Sequence, residues 1–193
     1  MINPIKQLNI WIDEEHHQGA PNPQQAVLST ATKEAIPRAR VVAIREISEH
    51  GLLFFTQKGT RKVEELMTNP LASLTFWFEL LQREVIIEGA VEPLLPKENE
   101  EYWQSYPREA QIRFYSYAAT SSQPILSKHH LEEKKKDIEV KYQDKPLPTS
   151  EFYCGFRIKP MRMVFYVYRT DELSDVVEYR CVDNRWINTL LSP

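Results

Sequence analysis

The stretch PRARVVAIREISEHGLLFFTQKGTRK, residues 37–62, decides how this chain folds. Two of its runs, 39–44 and 52–56, are rich in β-branched and aromatic residues, and His50 with Gly51 makes a turn between them, so the segment reads as a β-hairpin. A period of two along the first strand puts Arg38, Arg40, Val42 and Ile44 on one face and Ala39, Val41, Ala43 and Arg45 on the other. Each face thus carries basic residues toward one end, which is unusual for a plain core strand. Past the second strand, Val63, Leu66 and Met67 recur at helical spacing until Asn69 and Pro70 end the pattern. Thr60 is the expected N-cap, with Arg61 and Lys62 in the first turn.

A helix start offers unpaired backbone N–H groups and the positive end of the dipole, so two cations there are unfavourable unless an anion sits among them. Two readings stay open on the residues alone. Arg61 and Lys62 are solvated charges paired with Glu64 and Glu65, or they hold a phosphate together with Arg40 of the neighbouring strand. Charge-assisted hydrogen bonds of about 1.5–3 kcal/mol each would let three such cations anchor a phosphate monoester.

Composition narrows the classes. The chain has 193 residues, 42% of them hydrophobic, which is enough for one well-buried domain and short for two, so residues 1–193 are read as a single domain. A net charge of −3 lacks the basic excess of a dedicated nucleic-acid binder, so the partners expected are small molecules. No apolar run approaches the ~20 residues of a membrane-crossing helix. The opening MINPIKQL lacks the basic and apolar regions of a signal peptide, and the chain is expected in the cytoplasm. Glycines occur only at 19, 51, 59, 89 and 155, which excludes the closely spaced glycines of dinucleotide and P-loop phosphate sites. Cys154 and Cys181 are expected as buried thiols, and neither His16–His17 nor His129–His130 has the further ligands of a metal site.

In chain order, Pro4 starts a helix with an Ile5, Leu8, Trp11 and Ile12 stripe, and residues 25–31 form a first strand ahead of the hairpin. Residues 71–79 and 83–93 are two more strands, with a bulge expected at Gly89. From Pro96 to about residue 143 the text turns helical, as two short helices divided at Pro107, a polar loop, and a longer helix capped by Ser127. Three closing strands are expected, two of them (152–158 and 161–167) separated near Lys159 and Pro160, and the third through Val177, Tyr179 and Cys181. The fold class is mainly β (α+β): a small barrel of antiparallel strands with peripheral helices and a helical insert at about 96–143.

Read together, RVVAIR (40–45), GLLFFT (51–56), GTRK (59–62), Asn69–Pro70, LQREV (81–85), EGAVE (88–92), Tyr102, PREAQI (107–112), GFR (155–157) and the segment from Trp186 to Pro193 resemble the pyridoxamine 5′-phosphate oxidase family in order and spacing. The resemblance covers almost the whole length. It implies an FMN-binding split β-barrel that forms a homodimer, with flavin at the subunit interface. It also implies cofactor-binding roles for Arg40, Arg61 and Lys62 around the FMN phosphate, for Thr56 beside the flavin, and for Val41 and Val42. Phe55 stands for the family's tyrosine, Tyr166 for a flavin-contacting tryptophan, and Ser121 and Ser122 fall near a Gln-Ser pair. Glu84 replaces a glutamine near the flavin ring and Val176 an arginine, exchanging a donor for an acceptor and losing a cation.

The substrate side departs further from the family. Its phosphate-holding lysine, tyrosine, arginine and serine correspond to Arg45, Tyr102, Tyr106 and Ala110, and its late arginine and histidine to Glu172 and Ser174. Arg45 and Tyr102 are the expected substrate-binding residues, and no catalytic acid or base is assigned. The expectation is an FMN-dependent oxidoreductase acting on a small molecule other than a B6 phosphate vitamer. The phenazine-biosynthesis oxidases, which share the family fold, illustrate such retargeting. The alternatives are a genuine pyridoxamine or pyridoxine 5′-phosphate oxidase, and a non-catalytic flavin- or haem-binding protein.

Overall fold

The structure, a computed structural model, describes residues 3–193. Five helices and eight strands follow one another as α1 (Pro4–His17), β1 (Gln25–Ala31), β2 (Pro37–Ser48), β3 (Gly51–Gln57), α2 (Arg61–Thr68), β4 (Leu71–Phe78), β5 (Arg83–Pro93), α3 (Pro96–Gln104), α4 (Arg108–Tyr117), α5 (Lys128–Lys141), β6 (Tyr153–Val167), β7 (Asp175–Val182) and β8 (Arg185–Leu191). Two compact units are present. One takes in the chain up to Phe54, Glu65–Glu92 and Phe156–Pro193, the other Phe55–Glu64 and Pro93–Gly155.

The sheet runs β3-β2-β1-β4-β5-β6-β7-β8, and a further β3–β6 pairing closes six of the strands into an antiparallel barrel. Alternation fills the barrel of the first unit. Ala26, Leu28 and Thr30 of β1 point inward, and the hairpin strand β2 shows the predicted faces, with Val41 63% exposed and Ile44 buried. Leu28, Leu74, Phe76, Val85, Ile87, Ile158 and Met163 are fully buried there, at about 1.5–3 kcal/mol of transfer free energy per large side chain. Helix α1 starts on an Asn3 cap and lays Ile5, Leu8 and Trp11 inward as its spacing predicts. Its Glu15 is also buried, accepting the backbone N–H groups of Leu80 and Leu81.

Three strand expectations are corrected. Residues 153–167 form one continuous strand rather than two. Pro160 is accommodated because the ladder to β7 starts only at Arg162. Gly89 is in register with Ala72 and is not a bulge; a side chain there would run into the Lys159 carbonyl, so close backbone approach is what demands glycine. The register shift lies instead between Ile44 and Glu46. The C-terminal segment, to which no strand was assigned, pairs with β7 as β8 around a turn at Asp183 and Asn184, both at positive φ.

The second unit is organised around Trp103, Ile112, Ile138, Leu147 and Tyr153, with Phe55, Tyr106, Phe114, Tyr115 and Tyr142 packed against them. The Trp103 indole donates to the Leu147 carbonyl at 3.0 Å, so the largest buried ring keeps its one polar group satisfied. Ser127 caps α5 as predicted, accepting from the His130 N–H.

Candidate functional site

At one end of the first unit's barrel the inward face turns polar. Leu28 is paired with Arg40 and Thr30 with Arg38 across β1 and β2, so two guanidinium groups and a hydroxyl face inward beyond the last aliphatic layer. The side chain that meets them is Glu65 of α2, only 4% exposed. Its carboxylate accepts from Arg38 Nη1 at 2.8 Å, from Arg40 Nη2 at 3.1 Å and from the Thr30 hydroxyl. Arg40 Nη1 also donates to Thr30 Oγ1 at 2.5 Å and to the Leu28 carbonyl at 3.4 Å. Burial alone would raise the Glu65 carboxyl, but the bonds from Thr30, Arg40 and Arg38 outweigh it and hold the group below its ordinary value. Glu65 is thus an anion committed to the two arginines of β2, not a partner of Arg61 and Lys62 on the helix surface.

In the second unit, Lys62 Nζ donates to Thr56 Oγ1 at 3.1 Å, which brings together two of the residues expected at the flavin. Thr60 precedes the helix, but its hydroxyl donates back to the Gln57 carbonyl at 2.9 Å instead of capping an N–H. Phe55 stacks on Tyr153, centroids 5.0 Å apart, and its other close ring neighbour is Tyr102, also at 5.0 Å. Expected flavin-side and substrate-side residues therefore touch. Gly155 lies against this ring: a Cβ there would come within 2.5 Å of Phe55 and 2.7 Å of Leu94. Tyr106 packs its ring on Trp103 and Tyr153 and so joins the aromatic cluster, and Ala110 is buried. Ser121 and Ser122 lie in the loop between α4 and α5, Ser122 at φ 64°. Cys154, also in this unit, has its thiol pushed up to about 11 by burial, against the opposing pull of Lys58 and Lys62, which favours the neutral thiol.

A third group of residues meets in the first unit. Tyr166 is paired with Val176 across β6 and β7, and its ring stacks on Tyr168 at 4.1 Å. Tyr168 in turn donates to Glu84 at 3.4 Å and lies edge-on to Trp77. Burial and the Glu84 charge raise the Tyr168 hydroxyl, keeping it a neutral donor. Sequence reasoning missed Tyr168 because an exposed aromatic at the end of a strand carries no periodic signal. Glu172 is answered by Arg169 at 2.8 Å, and Arg169 also holds Asp175. Arg45 sits on the face of β2 opposite Arg40 and lines a hollow with Asn9, Ile12 and Gln24.

Beyond these residues, the first unit has a cavity of about 690 Å³ bounded by Thr30, Leu71, Gly89, Met161, Arg162 and Arg180. Arg162 there links Glu88 and Glu178, and Arg180 also pairs with Glu178. Hydrogen bonds from Arg180 and Arg162 hold the Glu178 carboxyl down at about 2. Among the described residues no group of three or more His, Cys, Asp or Glu is arranged to hold a metal ion, and no helix is long and apolar enough to cross a membrane.

Among solved structures, PhzG from Burkholderia lata 383 matches with a TM-score of 0.90 at 24% identity, covering 99% of this chain and 93% of that one. A pyridoxamine 5′-phosphate oxidase-related, FMN binding protein from Nostoc punctiforme PCC 73102 matches with a TM-score of 0.80 at 14% identity over the full length of both chains. The fold is thus the split barrel that these proteins share. Two family profiles match the sequence: pyridoxamine 5′-phosphate oxidase over residues 12–136, and the pyridoxine 5′-phosphate oxidase C-terminal dimerisation region over residues 153–193. The pyridoxine/pyridoxamine 5′-phosphate oxidase of Acaryochloris marina is 34% identical over 191 residues, 99% of this chain and 86% of that one. The pyridoxine-5′-phosphate oxidase of Dictyostelium discoideum is 36% identical over 197 residues, 99% and 85% of the two chains. The chain belongs to the pyridoxamine 5′-phosphate oxidase family.

Proposed function

We propose that the protein is an FMN-dependent oxidase of a small molecule, working as a homodimer, with phosphorylated B6 vitamers as the substrates that its relatives' names support. The observation that carries the cofactor reading is the donor set. Arg40 spends both of its Nη groups on Leu28, Thr30 and Glu65, while its Nε–H makes no hydrogen bond among the described residues. A side-on edge of the guanidinium is therefore available to an oxyanion. Lys62 donates to the Thr56 hydroxyl, and Arg61 is exposed at the helix start. The charge and donor chemistry of Arg40, Arg61 and Lys62 suit a phosphate monoester.

In this reading Arg40, Arg61 and Lys62 hold the phosphate, Val41 and Val42 are cofactor-binding positions of β2, and Thr56, Ser121 and Ser122 give polar contacts. Glu84 and Tyr166 lie at the ring. FMN, when bound, supplies the two-electron oxidation. The protein's own task is to orient the substrate and keep water out, with Arg45 and Tyr102 on the substrate side. The match to a dimerisation region supports the homodimer, and Val182, Ile187 and Leu190 in that region leave apolar side chains exposed.

A second reading, oxidation of a substrate without a B6 phosphate, is favoured by one observation. Tyr106, which stands where the family resemblance expects an arginine, packs into the aromatic cluster of the second unit, and Ala110, in place of a serine, has no hydroxyl to donate. Incubating FMN-loaded protein with pyridoxamine and pyridoxine 5′-phosphates and measuring pyridoxal 5′-phosphate separates the two. Product at ordinary family turnover supports the first. Flavin bleaching by other ring compounds, without that product, supports the second. Protein that retains no flavin refutes both.

A further inference from the structure

We propose that Glu65 is a positioning residue for anion recognition: with Thr30 as relay, its carboxylate fixes the Arg40 guanidinium so that the Nε–H edge is presented to the phosphate before the ligand arrives. The inference rests on the flavin reading above and assigns to Glu65 and Thr30 a role that neither has in it.

The hydrogen-bond arithmetic sets the direction of the network. A threonine hydroxyl has one proton, and Thr30 gives it to Glu65. Its lone pairs are then the only part left for Arg40, and they accept from Nη1 at 2.5 Å. Glu65 takes Nη2 through one oxygen and Arg38 through the other. Arg40 is thereby held at three points, including the Leu28 carbonyl, by groups on β1 and α2. A free arginine side chain has about 2 kcal/mol of rotamer entropy to lose on binding, and one already immobilised does not lose it again.

Charge supports the same role. A lone carboxylate buried to 4% exposure would be unfavourable, and Glu65 is stable there because two guanidinium groups surround it. Two cations against one anion leave the cluster one positive charge in excess, so it still attracts an oxyanion.

The test compares FMN with riboflavin, which share the ring and differ in the phosphate. Dissociation constants are measured by flavin fluorescence on the full-length, flavin-stripped protein. For Glu65→Gln, FMN binding is expected to weaken about tenfold while riboflavin binding changes less than about twofold. Thr30→Val, which leaves the carboxylate in place, is expected to weaken FMN in the same selective way by about threefold, and it serves if Glu65→Gln proves insoluble. In an Arg40→Gln background, Glu65→Gln is expected to add less than about twofold. The inference is overturned if FMN binding is unchanged or tighter, if FMN and riboflavin weaken in parallel, or if the effect persists without Arg40. Wild-type protein that binds FMN no better than riboflavin would instead overturn the phosphate reading itself.

Discussion

Replacing Glu15 by alanine tests whether a buried carboxylate with no cation of its own holds α1 to the sheet. Glu15 is 2% exposed, and its two oxygens accept the Leu80 N–H at 2.8 Å and the Leu81 N–H at 3.1 Å. Those N–H groups belong to the turn joining β4 to β5, so they have no partner in the ladder. Removing the acceptor strands both, and at about 1–1.5 kcal/mol for each partly hydrated N–H the cost is about 2–3 kcal/mol. For a chain of this size that is about 5–10 °C in Tm. Helix α1 should stay docked, because Arg83 still pairs with Glu14 and lies 4.8 Å over the Trp11 ring. The assay is urea unfolding at fixed protein concentration, with an unchanged m value showing that the native state remains compact. Glu15→Gln keeps one acceptor oxygen and should lose about half as much. An alanine variant within about 0.5 kcal/mol of the parent, the size of a surface substitution, would refute the reasoning.

Gly155→Ala pushes a methyl into the Phe55 ring and Leu94, and should destabilise the protein by about 1–3 kcal/mol in the same denaturant assay. A neutral result would show that the aromatic stack can shift at no cost. Glu178, held down at about 2 against an ordinary 4.5, contributes stability that is complete above pH 4.5 and is lost as the pH falls from there toward 2. Thermal unfolding should therefore move to lower temperature across that window in the wild type and much less in Glu178→Gln; parallel curves would contradict the assignment.

The fold was largely legible because its signals are local. The period of two divided β2 into the two faces that the structure shows, without saying which faces inward, and the apolar stripe of α1 marked Ile5, Leu8 and Trp11, which are buried. What escaped depends on contacts between distant segments. Glu64 and Glu65 read alike beside Arg61 and Lys62, yet Glu65 is turned to Arg38 and Arg40 some 25 or more positions away, which no helical period reports. Residues 152–158 and 161–167 read as two strands; that the chain runs on through Pro160 is set by pairing, the ladder to β7 starting only at Arg162. Gly89 read as a bulge for want of knowing that the Lys159 carbonyl passes over it. Glu172 read as a new charge at the substrate side, and Arg169, three residues earlier, was available to pair with it all along.

At the candidate site, residue types were legible and their company was not. Lys62 meets Thr56 and Phe55 meets Tyr102 in the second unit, pairings that no period in the sequence reports. The brace of Tyr168 between Tyr166 and Glu84, and that of Thr30 between Glu65 and Arg40, become visible only once strands from different parts of the chain lie side by side.

The proposed function assigns the phosphate of FMN to Arg40, Arg61 and Lys62. Fluorescence titration of the wild-type, flavin-stripped protein with FMN and with riboflavin tests it most directly. With three cations offered to the phosphate, FMN should bind at least about 100-fold more tightly, and the preference should shrink as salt is raised. Equal affinity for the two flavins, or no binding of either, would contradict the account.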